Sequence, residues 1–150
     1  MPPQTHLTDI ARVIQLAVAP VFLLSGVGVT LTVLTNRLSR IIDRARLLET
    51  APPPAIGTPA VTEELAELSR RAQLVQRSIT LSTACALLIC VVIVALFTGA
   101  LLDTDLSALV ITLFIAAMCA FIGALLFFLR EITVATKTLR WGPNHPRSGG

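Results

Sequence analysis

The sequence predicts an all-α polytopic membrane protein, with three transmembrane helices extended into a cytoplasmic helical bundle. Hydrophobic residues make up 54% of the chain and charged residues 14%, whereas soluble domains carry about a quarter charged residues. Three long stretches carry no charge, and helical spacing of apolar residues continues beyond them. With a mean hydropathy of +0.79, the composition excludes an ordinary soluble domain, a disordered tail and a disulfide scaffold.

The charge-free stretches are long enough to cross a bilayer. They cover residues 13–36, 78–102 and 106–129, and contain 24, 25 and 24 residues. A hydrocarbon core needs about 20 helical residues, and each segment must be helical because lipid offers the backbone no hydrogen-bond partners. We expect the first span to be retained, since no basic region precedes it as in a signal peptide.

The basic residues predict the orientation of these spans. Of the 12 lysines and arginines, Arg12 alone precedes the first span, and all others lie between spans one and two or after span three. The charged residues in the turn between spans two and three are both acidic, Asp103 and Asp105. The positive-inside rule therefore places the N-terminus outside and the C-terminus in the cytoplasm. Since topology accounts for the net charge of +3, we expect no nucleic-acid partner.

Apolar residues with helical spacing continue on the cytoplasmic side. One stripe follows span one and a two-heptad seam precedes span two; they consist of Leu38, Ile41, Ile42, Ala45 and Leu48, and of Leu65, Leu68, Ala72, Val75 and Ile79. Prolines at 52–54 break the pattern. We expect one membrane domain over residues 1–150, with a cytoplasmic hairpin at 37–77, a loop at 50–59 and a cytoplasmic tail at 130–150. Either these cytoplasmic helical segments pack together as a bundle, or one of them lies on the inner leaflet among anionic headgroups.

Span one carries a polar stripe in its inner half. Its members are spaced by near-whole helical turns and lie along one face; they are Ser25, Thr32, Asn36, Ser39 and Asp43. Lipid is a poor neighbour for an asparagine or an aspartate. The stripe is therefore expected to face either protein or a water-filled vestibule open to the cytoplasm.

Two further groups in the first helix are candidate functional residues. The arginines after span one are candidate headgroup or anion contacts; they are Arg37, Arg40, Arg44 and Arg46. Pro20, Gly26 and Gly28 form a candidate hinge, because proline interrupts helical hydrogen bonding and glycine loosens the backbone. Tight packing is the alternative interpretation of these three residues.

No catalytic, cofactor-binding or metal-binding motif is present in the sequence. His6 and His145 lie in tails predicted on opposite sides of the membrane. The three cysteines lack the spacing of a metal site and fall within predicted spans. We therefore expect a protein without enzymatic activity and without a cofactor.

The first helix carries a family resemblance. The segment 19–28, followed by Leu34-Thr35-Asn36-Arg37-Leu38-Ser39-Arg40-Ile41-Ile42-Asp43-Arg44-Ala45-Arg46, resembles the bacterial membrane family called domain of unknown function 2721. The resemblance covers residues 10–140. It implies a bacterial cytoplasmic-membrane protein and carries no established activity. It directs attention to the segment where span one leaves the membrane.

Three functions remain open at this point. The first is a self-associating, non-enzymatic scaffold or regulatory protein whose cytoplasmic helices contact a protein partner. The second is an oligomeric ion channel or transporter subunit, with the polar stripe lining a vestibule. The third is a lipid-binding protein that uses the arginines. A thin bundle of three spans favours a homo-oligomer in the bilayer.

Overall fold

The computed structural model describes residues 4–50, 59–102 and 104–139, and its secondary structure is α-helical. The chain forms α1 (Gln4–Glu49), α2 (Pro59–Leu102) and α3 (Ser107–Leu139). At about 1.5 Å per residue, the 46 residues of α1 extend far beyond the thickness of a bilayer core. The all-α prediction and the continuation of the first helix beyond residue 36 are confirmed.

All three helices are long and apolar enough to cross a membrane. The segments that meet this criterion lie within Ala11–Glu49, Val61–Leu102 and Ser107–Ala135. Large apolar side chains on these helices are exposed, among them Phe22 at 74% and Leu101 at 85%. Such extensive apolar surface is unusual for a soluble monomer and indicates a multi-pass membrane protein.

The helix ends follow from local chemistry. Thr50 closes α1 because its backbone N–H and its hydroxyl both donate to the carbonyl of Arg46. Pro59 begins α2, at the first helical position where a missing N–H costs nothing. Residues 51–58 of the predicted loop at 50–59 lie outside the described residues. The part of the predicted tail beyond residue 139 lies outside them too.

A short turn joins α2 to α3. The N–H of Thr104 donates to the carbonyl of Gly99 at 3.1 Å, and a Cβ on Gly99 would lie 3.2 Å from the Thr104 carbonyl oxygen. Any residue other than glycine at position 99 would require a small shift of the Thr104 backbone. Asp105 accepts hydrogen bonds from the hydroxyl and the backbone N–H of Ser107, and these bonds hold the pKa of Asp105 below its usual value.

The helix α2 is the centre of the bundle and packs along both α1 and α3, which make few contacts with each other. Two apolar clusters connect the helices. The first contains Val27, Cys85, Ile89 and Ala117; the second contains Leu34, Ile41, Leu68 and Val75. The second cluster also receives Leu38, Ala45, Leu48, Ala72 and Ile79. Most of the predicted apolar stripe and seam therefore pack against each other, whereas Ile42 is 41% exposed and Leu65 belongs to neither cluster.

Candidate functional site

One carboxylate joins all three helices at the end of the bundle that carries most of the arginines. We call this end the basic end; it consists of residues 37–49, 59–77 and 130–135. Glu131 of α3 is 1% exposed. Arg37 of α1 donates to its Oε2 at 2.6 Å, and Arg71 of α2 donates to its Oε1 at 3.1 Å. Helices α1 and α3 are thereby linked where few other contacts connect them.

Both arginines are held in fixed positions by this carboxylate. The Arg37 guanidinium also lies over the ring of Phe128, 5.2 Å from its centroid, a cation–π contact. The side chains of Arg37 and Arg71 are 39% and 26% exposed. A buried carboxylate requires such partners, since an unpaired buried charge is strongly destabilising.

A cleft opens beside this ion-pair cluster. It has a volume of about 410 Å³ and draws residues from all three helices. Four arginines line it, with Glu131 as the single lining acid; the arginines are Arg37, Arg40, Arg44 and Arg71. Ile41, Leu68, Ile132 and Ala135 supply its apolar wall. We call this feature the arginine cleft.

The arginines singled out in the sequence divide between two sides of α1. Arg37, Arg40 and Arg44 line the arginine cleft, whereas Arg46 lines a separate groove beside Asp43. Arg44 pairs with Glu64 of α2 at 2.8 Å in an exposed ion pair. Arg40 forms no ion pair or hydrogen bond with any described residue. Its charge is therefore uncompensated within this part of the chain.

The polar stripe of α1 points away from the other described helices. All five of its members are exposed; they are Ser25, Thr32, Asn36, Ser39 and Asp43. At about 100° per residue, each lies within about 40° of the position directly opposite Leu34, which is fully buried against α2. The described residues of the chain thus leave this polar face uncovered.

Hydrogen bonding within the chain satisfies only part of the stripe. The Thr32 hydroxyl donates to the carbonyl of Gly28 at 3.1 Å, within its own helix. Asn36, Ser39 and Asp43 form no hydrogen bond with any described residue. Their side chains remain available to a partner outside the described residues.

Helix α1 is continuous through the candidate hinge. Pro20 is buried. A Cβ added at Gly26 or at Gly28 would meet no atom of the described residues within 4 Å, so packing among these residues requires neither glycine. Gly28 lies beside the polar stripe and Gly26 lies off it, by helical position. The hinge itself stays a prediction.

The interior of the bundle carries two buried hydroxyls on α2. Ser78 donates to the carbonyl of Ala124 at 2.6 Å and so ties α2 to α3, whereas the Ser82 hydroxyl has no partner among described residues. Within the described residues, no group of three or more His, Cys, Asp or Glu side chains is placed to hold a metal ion.

Glu131 is the residue that the sequence analysis did not single out. One signal for it exists: Ala117, Ala124 and Glu131 follow each other at heptad spacing, and the two alanines form the packed face of α3. A lone acid in such a row is expected to be buried against an opposite charge. Its partners lie 94 and 60 residues away in the chain, so the sequence alone does not identify them.

Comparison with known proteins identifies a family. The family described as protein of unknown function (DUF2721) matches residues 17–141. This range contains the polar stripe, the arginine cleft and all three helices apart from the first turns of α1. No curated protein and no solved structure matches the chain.

Proposed function

The chain belongs to this family of unknown function, and from that premise we propose that it is a non-enzymatic, multi-pass membrane protein that self-associates through the polar face of α1. Three apolar helices with exposed aliphatic surface support insertion in a bilayer. We infer that the basic end is cytoplasmic and the turn at Asp105 is outside, because every arginine among the described residues except Arg12 lies at the basic end. The resemblance supports the bacterial inner membrane.

The exposed polar stripe is the observation that carries the proposal. Asn36 ends a charge-free segment and Asp43 lies two turns further on, and neither has a partner among described residues. Polar side chains within transmembrane helices almost always face other helices or water. Since the face lies opposite the packing surface on α2, the partner must come from outside the described part of the chain.

A second copy of the chain is the partner that fits this face best. Ser25, Thr32 and Ser39 are seven residues apart, as are Asn36 and Asp43, which is the spacing of two helices packed side by side. Small and hydroxylated residues allow helix backbones to approach closely, and an asparagine pair hydrogen-bonds across such a contact. Two copies in one membrane have the same orientation, so equivalent residues meet at equal depth.

Self-association would also bring the basic ends of neighbouring copies together. Residues 37–49 and 59–77 pack as a helical hairpin, and the ion-pair cluster at Glu131 attaches α3 to it. In an oligomer these hairpins lie side by side in the cytoplasm. This arrangement suits a scaffold or regulator that presents helical surface to a cytoplasmic protein, and it assigns no catalytic group.

The mass of the purified protein tests self-association. After extraction in a mild detergent or in native nanodiscs, we expect a particle that contains at least two chains of 16.0 kDa, as measured by light scattering or native mass spectrometry. A protein mass of one chain at every concentration would overturn the proposal.

An oligomeric channel or transporter subunit is the second candidate. The same exposed stripe supports it, if several copies turn the stripe toward a shared axis filled with water rather than toward each other. Between Ser25 and the N-terminus, the exposed residues on this side of α1 include Ile14, Val18, Val21 and Phe22, so the outer half would close as a hydrophobic gate. Water access to Ser25 and Thr32 separates this arrangement from a packed contact.

A further inference from the structure

We propose that the arginine cleft is a binding site for a phosphate-bearing anion. The inference goes beyond self-association, and it rests on the proposed membrane placement only for the source of the anion. The cleft is a concave site of about 410 Å³ with four arginines and one acid in its wall. Clustered guanidinium groups match the charge and the oxygen geometry of a phosphate, which accepts paired N–H donors from arginine.

The buried carboxylate makes the site preorganised. Glu131 engages one nitrogen of Arg37 and two of Arg71, whereas a guanidinium carries five N–H donors. Both groups therefore retain donors while their positions are fixed. Fixing the donors in advance lowers the ordering cost when an anion binds.

Arg40 adds a positive charge that no described acid pairs with, beside the one net positive charge that Arg37 and Arg71 keep when they share Glu131. It lines the cleft and has no partner among the described residues. Arg44 forms an exposed ion pair with Glu64. Because exposed ion pairs are weak, a bound anion can replace Glu64 as the partner of Arg44. An anion in the cleft thus meets one free arginine and two oriented ones.

The depth of the cleft fits a lipid headgroup. Arg37 directly follows the charge-free segment that ends at residue 36, and Glu131 follows within two residues of the segment that ends at 129. In the proposed orientation, the cleft lies at the cytoplasmic headgroup level. Basic pockets between helices at this depth bind anionic phospholipid headgroups. A soluble phosphate from the cytoplasm has the same binding chemistry.

The test compares two arginine variants and two phosphate sources. The first readout is retention of phosphatidylglycerol by full-length protein purified from nanodiscs of phosphatidylcholine and phosphatidylglycerol, by native mass spectrometry. The second is the shift of the unfolding midpoint in detergent with millimolar inorganic phosphate, against chloride at equal ionic strength. The variants are Arg40→Gln in the cleft and Arg70→Gln, whose exposed arginine lines a different groove.

We expect Arg40→Gln to reduce anion binding about tenfold, as for loss of a charge-assisted contact, and Arg70→Gln to leave it unchanged. Retained phosphatidylglycerol without a response to inorganic phosphate supports a headgroup site; a response to inorganic phosphate in detergent supports a soluble ligand. Equal loss in both variants, or no phosphate-specific binding in either assay, overturns the site. The detergent assay requires neither a bilayer nor self-association. Failure of the phosphate site can therefore be distinguished from failure of the proposed function.

Discussion

A chain carrying both Arg37→Gln and Arg71→Gln is expected to lose about 3–5 kcal/mol of unfolding free energy, as when a buried charge loses its partners. The reason is Glu131, which is 1% exposed and whose ion-pair partners are these two arginines. Each single variant is expected to cost less, because one arginine remains on the carboxylate. The measurement is unfolding by a denaturing detergent in mixed micelles, followed by circular dichroism.

The matched control removes the buried charge itself. Adding Glu131→Gln to the double variant leaves three neutral amides, so no unpaired charge stays buried. We expect this triple variant to recover at least half of the lost stability. A triple variant no more stable than the double, or a double variant within about 1 kcal/mol of the wild type, would show that the cluster does not hold the basic end together.

The replacement Gly28→Leu is expected to raise the dissociation constant of the self-association at least tenfold, about 1.4 kcal/mol or more. Gly28 lies beside the polar stripe, and a Cβ there would meet no described atom within 4 Å. A leucine therefore leaves the single chain intact, and helix propensity favours it over glycine. It prevents the close backbone approach on which a small-residue contact depends. Energy transfer between labelled copies in vesicles at varied protein-to-lipid ratio measures the effect.

The neighbouring glycine supplies the control for this change. Gly26 also has open space at its Cβ, and its carbonyl accepts from the Thr30 hydroxyl, just as the carbonyl of Gly28 accepts from Thr32. The two sites differ in the direction they face around α1. We expect Gly26→Leu to leave self-association unchanged. An equal loss in both variants would point to a general effect on the helix instead of a contact on the stripe.

The course of the first helix was predictable from the sequence, because it depends on local spacing. Leu38, Ile41 and Ala45 keep a helical period without an intervening glycine or proline, and the structure carries α1 to Glu49. The start of α2 at Pro59 follows from the same local rules. Such elements need no knowledge of the tertiary structure.

The sites were less predictable, because they depend on which faces meet. The spacing of Asn36 and Asp43 shows that they share a face, and only the position of α2 shows that this face is uncovered. Likewise, Arg37 was a candidate headgroup contact on sequence grounds, and the structure adds its pair with Glu131. Contacts across 94 residues arise from the packing of helices and not from any local pattern.

Disulfide cross-linking along α1 tests the central claim, that the polar stripe is a contact between copies. In a chain with Cys85, Cys90 and Cys119 replaced by alanine, single cysteines are placed at each position from 25 to 43 and oxidised in native membranes. Cross-linking requires Cβ atoms about 4 Å apart. A membrane-impermeant thiol reagent applied from the cytoplasmic side then reports water access at the same positions.

Self-association through the stripe predicts cross-linked dimers at residues 25, 32, 36 and 39, weak cross-linking at their neighbours, and little reagent labelling above residue 36. Strong labelling at 25 and 32 without cross-links would instead support a water-filled vestibule. Cross-links that peak on another face of α1, or that appear nowhere between 25 and 43, would contradict the account.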